Sequence, residues 1–183
     1  REFVWNNIKQ GNRNGLLYSD PTADGIKTGF TDSAGYCLAS SAKRNGTRMI
    51  AVVFGTRSPR IREQASTALL NYGFAFYETV SLRKSGDAVF KPRVYKGSDQ
   101  YVSVGPASNV EVTVARGARS RLKTSTTLNE PLVAPLKAGQ TVGEMRVLDG
   151  KTVIKRVPLV VNNAVAEGGL WAGTRDTFAL WFR

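Results

Sequence analysis

Lys27, Thr28 and Gly29 follow one another in the segment Gly25-Ile26-Lys27-Thr28-Gly29-Phe30-Thr31. A cation, a hydroxyl donor and a position without a side chain are what is needed to hold a ligand that ends in a carboxylate. The Lys27 ammonium supplies charge, the Thr28 hydroxyl can donate to a carboxylate oxygen, and Gly29 lets a ligand backbone lie against the strand edge. The next amide, Phe30 N–H, is placed to donate to a developing oxyanion. On a surface strand with a solvated lysine the same triad does nothing, and the tripeptide alone does not separate the two readings.

The rest of the composition narrows the chemistry. The 183 residues contain no histidine and one cysteine. Ser-His-Asp and Cys-His catalysis are thereby excluded, along with nearly all zinc sites, so neither a metal nor a cofactor is expected. Any hydrolysis must use Ser, Lys, Thr, Tyr or carboxylates. Cys37 lies in the apolar run Tyr36-Cys37-Leu38-Ala39 and reads as an inert thiol without a disulfide partner. A Ser-x-x-Lys spacing occurs at Ser40-Ser41-Ala42-Lys43. On a helix that spacing places both groups on one face, whereas on a strand an odd separation sends them to opposite faces. This stretch runs into a turn signal and reads as strand, so Ser40 is not expected to be a nucleophile. No Ser-x-Asn occurs in the chain.

The elements that must position the triad can be read from turns and periodicity. Two apolar runs, 36–42 and 48–54, flank Arg44-Asn45-Gly46-Thr47. Asn-Gly between such runs predicts a hairpin, because a type I′ turn needs positive φ at both central residues. This hairpin is expected beside the Lys27 strand. Ser58 then offers a helix cap and Pro59 a first-turn residue. Ile61, Ala65, Ala68, Leu69 and Tyr72 recur at helical spacing as its predicted buried face. After Val80 the texture changes to short strands punctuated by Gly and Pro. Val110–Val114 alternates with period two, Asp149-Gly150 joins a second hairpin, and Pro158–Val161 reads as a further short strand.

The expected organisation is an α+β fragment at 1–80, in which an antiparallel sheet packs on a helix, and a small all-β, sandwich-like domain at 83–166. A membrane-surface helix is expected at 167–183, where Trp171, Phe178, Trp181 and Phe182 would enter the headgroup layer. No apolar run of about 18 residues is present to span a bilayer. The chain opens at Arg1, with neither Met nor signal peptide, which reads as a cut. The formal net charge of +12 favours anionic partners such as acidic lipid or an anionic polymer. Scattered Lys and Arg without interleaved aromatics do not predict nucleic-acid binding.

Longer stretches carry a resemblance. Asn14-Gly15-Leu16-Leu17-Tyr18, Asp24 to Asp32, Ala34-Gly35-Tyr36, Leu38 to Arg44 and Arg62-Glu63 resemble the serine D-alanyl-D-alanine carboxypeptidases, the low-molecular-mass penicillin-binding proteins. Ala134-Pro135-Leu136, Val142-Gly143, Asp149-Gly150-Lys151 and Pro158–Val161 continue it, in order, through the second domain. The resemblance implies the C-terminal part of a transpeptidase-like domain. The implied reaction is removal of the terminal D-alanine from a peptidoglycan stem peptide through an acyl-enzyme, with β-lactams as trapped mimics. It also implies a location on the periplasmic face of the inner membrane. By the same resemblance Lys27, Thr28, Gly29 and Phe30 N–H hold substrate, Arg62 helps hold its carboxylate, and Arg57 is a second nearby guanidinium. The family's nucleophile lies N-terminal to this triad, so this chain alone is expected to be inactive. A complete enzyme needs on the order of 200 further residues. That lobe, or a second copy, is expected to cover the exposed sheet. The pattern departs from the best-studied relatives at Phe30, where they carry histidine. A cell-envelope scaffold built on the β domain, a DD-endopeptidase and a β-lactamase remain open alternatives.

Overall fold

The structure, a computed structural model, describes residues 2–169. The chain forms two compact units, one running to Thr79 and including Thr113–Arg116, the other built from Val80–Val112 and the chain from Gly117 onward.

The first unit begins with two short strands, β1 (Glu2–Trp5) and β2 (Ile8–Gly11), paired antiparallel with Trp5 opposite Ile8. Asn6 and Asn7 turn the chain between them at φ 48° and 60°. Asparagine tolerates the left-handed region, so this is a two-residue hairpin turn. The polar, aromatic composition of the segment hid it, although the Asn-Asn pair signals the turn. A single helical turn α1 (Leu16–Ser19) leads to β3 (Ala23–Thr31), β4 (Gly35–Arg44) and β5 (Thr47–Thr56). These three form an antiparallel sheet in that order, with Thr28 opposite Leu38 and Leu38 opposite Val53. The turn between β4 and β5 has Asn45 at φ 49° and Gly46 at φ 81°, as the Asn-Gly signal requires.

Helix α2 (Pro59–Phe76) follows, and the Ser58 hydroxyl accepts from Ile61 N–H at 3.3 Å. The helix buries Arg62, Ser66, Leu70 and Phe74, not the face expected from its apolar residues. Ile61, Leu69 and Tyr72 are 45%, 49% and 57% exposed. The reason is closeness of approach. Ser66 and Ala42 are fully buried and Ala51 nearly so, and small residues at this contact let Leu70 and Phe74 reach Leu16, Leu38, Ala42 and Ala51 in one core cluster. Burying each large aliphatic side chain contributes about 1.5–3 kcal/mol. That outweighs leaving the more numerous but differently directed apolar groups in water.

The second unit is β-rich. Its main sheet is antiparallel, in the order Leu122–Leu128, Thr141–Asp149, Thr152–Val161, Val104–Pro106. Val104, Val110, Val147, Leu159 and Val161 are at most 1% exposed. Val110–Ala115 alternates buried and exposed residues as its period-two pattern predicts. Gly150, at φ 61°, turns the Asp149-Gly150 hairpin. Pro158 does not open a new strand as expected. Thr152–Val161 is one ten-residue strand through it. Pro158 lies opposite Glu144 in the ladder with Thr141–Asp149, and its carbonyl accepts Ala107 N–H at 2.9 Å, so pairing carries the strand through the proline. Glu167 bridges Gly97, and Gly168 N–H donates to Lys96 O at 2.8 Å. Residues 167–169 are therefore not helical. Trp171, Phe178, Trp181 and Phe182 lie outside the described residues.

One ion pair ties together the end of β4, the turn before β3 and helix α2. Arg44 donates Nη2 to Asp20 at 2.8 Å, Nε to Thr22 Oγ1 at 3.1 Å and Nη1 to Asn71 at 2.9 Å. Its guanidinium also lies 4.4 Å from the centroid of the Phe74 ring. Burial alone would raise the Asp20 carboxyl, but hydrogen bonds from the Thr22 side chain and amide and from Arg44 hold it below its usual value. A carboxyl depressed on folding stabilises the fold above its unfolded pKa, and that stability is lost as pH falls through the folded value. Urea unfolding should therefore show the midpoint dropping with acidification below about pH 4. Asp20→Asn should lower the midpoint at neutral pH and flatten this acid slope.

Candidate functional site

The triad occupies the middle of β3, the edge strand of its sheet. Pairing with β4 fixes its register: Lys27 faces Ala39, Thr28 faces Leu38, Gly29 faces Cys37 and Phe30 faces Tyr36. Gly29 has ordinary extended geometry, and a Cβ there would touch only the Cys37 Cβ, at 3.6 Å. Its value to the site is thus an unobstructed strand surface. Lys27 is exposed and donates Nζ to Thr28 O at 2.7 Å. Thr28 is half-buried and Phe30 is 54% exposed.

These residues border an open hollow of about 1180 Å³. Ile26, Lys27, Thr28, Gly29 and Phe30 form one side, and Arg13, Asn14, Tyr36 and Arg62 close it. The hollow thus sets the cations Arg13, Lys27 and Arg62 among apolar side chains that include Phe3, Leu17 and Ile26. Arg57 is exposed in the bend before α2 and is not among the lining residues.

Arg62 reaches the hollow from the first turns of α2, but it is not a free arm. It is 3% exposed. Its Nη2 donates to Arg13 O at 2.8 Å and to Glu63 Oε1 at 3.3 Å, while Nε makes no hydrogen bond. The same Glu63 oxygen accepts Gly15 N–H at 3.1 Å. This contact explains the glycine, because a Cβ at Gly15 would sit 2.3 Å from the Glu63 carboxylate. Asn14, 3% exposed, accepts Leu16 N–H and donates Nδ2 to Gly25 O at 3.3 Å, just before the triad. Arg62 and Glu63 thus hold the 12–16 turn against the helix, and Asn14 holds it against β3. Residue typing alone marked Arg62 as a ligand group. Its fixing role, and those of Glu63 and Asn14, show only in three dimensions. The sequence clue was the adjacent Asn14-Gly15 and Arg62-Glu63 pairs.

Ser40 is fully buried on the helix-facing side of β4 and donates to Ala51 O at 3.1 Å, while Lys43 is exposed. The strand setting separates the two as the odd spacing requires. Two further Ser-x-x-Lys spacings occur, Ser81 to Lys84 and Ser120 to Lys123. The first starts in strand Tyr77–Arg83 and the second crosses from a short 3-10 turn into a strand, so neither places its pair on one helix face. No cluster of metal-ligating side chains occurs among the described residues. No helix among them is long and apolar enough to cross a membrane.

Comparison with known proteins decides the family. Residues 1–58 match the D-alanyl-D-alanine carboxypeptidases, and residues 77–167 match the C-terminal domain of penicillin-binding protein 5. The chain belongs to the D-alanyl-D-alanine carboxypeptidase family. It is 43% identical to D-alanyl-D-alanine carboxypeptidase DacC of Escherichia coli (strain K12), over 100% of this chain and 47% of that protein. Identity to DacA of the same organism is 42%, over 100% of this chain and 46% of the relative. Among solved structures, penicillin-binding protein 5 from Haemophilus influenzae superposes with a TM-score of 0.78 at 37% identity, covering 91% of this chain and 49% of that one. The chain spans about half the length of the curated relatives it matches.

Removing the Arg62 side chain leaves the part-buried acceptors Arg13 O and Glu63 without their charged donor. Hydrogen bonds to charged groups contribute about 1.5–3 kcal/mol each. Arg62→Ala should cost about 2–4 kcal/mol in urea unfolding, and Arg62→Lys should recover part of it, because both bonds come from the one nitrogen Nη2 and an ammonium also carries several donors on one nitrogen.

Proposed function

We propose that the complete protein carrying this chain is a serine-type D-alanyl-D-alanine carboxypeptidase. It works at the periplasmic face of the inner membrane on peptidoglycan stem peptides, and β-lactams trap it. The observation that carries this reading is the strand edge of Lys27, Thr28 and Gly29 bordering a hollow closed by Arg62 and Asn14, in a chain of that family.

In this reading Thr28 and Lys27 bind the terminal carboxylate of the substrate. The Phe30 amide then takes the charge that develops on the scissile carbonyl oxygen. The serine, supplied from outside this chain, adds to the carbonyl carbon between the two terminal D-alanines. The C–N bond breaks, the serine proton goes to the departing amine, and water later cleaves the ester to restore the hydroxyl. Arg62 contributes positive charge from beneath and keeps the 12–16 turn in place. It is a positioning residue rather than a direct ligand. Arg57 is left to a peripheral role. No step calls on a metal or cofactor.

The remaining parts follow the same logic. Ile50, Val52 and Phe54 of β5 are 62%, 49% and 75% exposed on the sheet face away from α2. The rest of the complete protein covers this face. The segment with Trp171, Phe178, Trp181 and Phe182 rests on the membrane surface.

Labelled penicillin separates the pieces. The complete protein should form one covalent adduct, and Thr28→Val should slow its formation by about ten- to a hundredfold, the value of one hydrogen bond to a charged group. This chain alone should gain no mass. An adduct on Ser40 of the isolated chain contradicts the assignment.

A further inference from the structure

The side chain of Phe30 has no part in the chemistry assigned to its amide, yet its surroundings are ordered for a ligand. It lies on the same face of β3 as Thr28, two residues away, and lines the same hollow. It stacks on Tyr36, directly opposite on β4, with ring centroids 4.4 Å apart and planes tilted by 36°. The buried Arg62 guanidinium sits 6.0 Å from the Tyr36 ring centroid, held by its hydrogen bond to Arg13 O. A single exposed phenyl ring carries no meaning by itself. Here the ring is held by a second ring, which is in turn backed by a fixed cation, while Phe30 stays 54% exposed at the border of the hollow. An exposed apolar face that is already immobilised binds without paying further ordering entropy.

Strand geometry says which part of a ligand meets it. On the reading proposed above, the carboxylate ends at Lys27 and Thr28 and the scissile carbonyl sits at the Phe30 amide. The acyl side of the ligand therefore continues past Phe30, away from Thr28. We propose that Phe30 and Tyr36 form an aromatic shelf that selects acyl donors carrying an apolar, preferably aryl, substituent on the acyl side of the scissile bond. An imidazole at position 30 would offer a hydrogen-bonding, titratable group to that substituent, whereas phenyl offers only dispersion and a quadrupole. The shelf is thus a specificity determinant of this chain's own sequence, and it rests on the substrate-edge reading.

The test compares two penicillins that differ by one phenyl group, benzylpenicillin and 6-acetamidopenicillanic acid, by their second-order rates of acylating the complete protein. The unsubstituted protein should favour the phenyl compound by about fivefold beyond the ratio shown by Phe30→Ala, within the range for an aromatic pair. Phe30→Tyr should keep the preference, and Tyr36→Leu should reduce it by removing the support. If Phe30→Ala lowers both rates and leaves their ratio unchanged, the ring is structural and the shelf is overturned while the substrate edge stands. If neither penicillin reacts with the unsubstituted protein, the substrate-edge reading fails, and the shelf fails with it.

Discussion

The first unit depends on a charged side chain buried where a helix meets a turn. Arg62 enters from α2 and spends its guanidinium on the carbonyl of Arg13 and on Glu63. Glu63 in turn holds the amide of Gly15. This knot adds to the burial of Leu16 in holding the 12–16 turn over the hollow. With it, Asn14 is delivered to Gly25 O, and the start of the triad is fixed from one side while pairing with β4 fixes it from the other. Burying a guanidinium is expensive unless its donors are satisfied, and an incompletely satisfied one is retained where it serves position. The unpaired Nε of Arg62 fits that account.

Much of this architecture was legible before any coordinates. The Asn45-Gly46 turn dictates the β4–β5 hairpin because few other dipeptides accept two positive φ values in succession. Ser58-Pro59 dictates where α2 starts. The odd spacing of Ser40 and Lys43 separates them as soon as the segment is a strand. Local rules of this kind act within a few residues, and they read well. The buried face of α2 did not, because its apolar residues occupy two faces and the contact is decided by the small residues of the facing sheet. That Leu70 and Phe74 share a core with Leu38, Ala42 and Ala51 is a property of distant segments. The partners of Arg62, 49 positions away at Arg13, are hidden for the same reason.

The candidate site divides along the same line. Which residues could hold a carboxylate was readable from their types and order. That Thr28 is half-buried, that Arg62 is locked rather than reaching, and that Phe30 is stacked on Tyr36 are consequences of register and packing. The family assignment and the geometry then support each other from independent directions. One says what class of protein carries such a strand, and the other says that the strand presents its donors to an open hollow. The chain accounts for about half of its relatives' length, and on the proposed reading what it contributes is the edge that binds substrate.

That distinction is measured most directly by amide NMR on this chain alone, titrated with an N-acyl-D-alanyl-D-alanine dipeptide. The account predicts saturable, fully reversible shifts centred on the amides of Lys27 to Phe30 and on the Asn14 turn, with the L,L dipeptide much weaker. Shifts confined to other segments, or none along β3 at any dipeptide concentration, would contradict it.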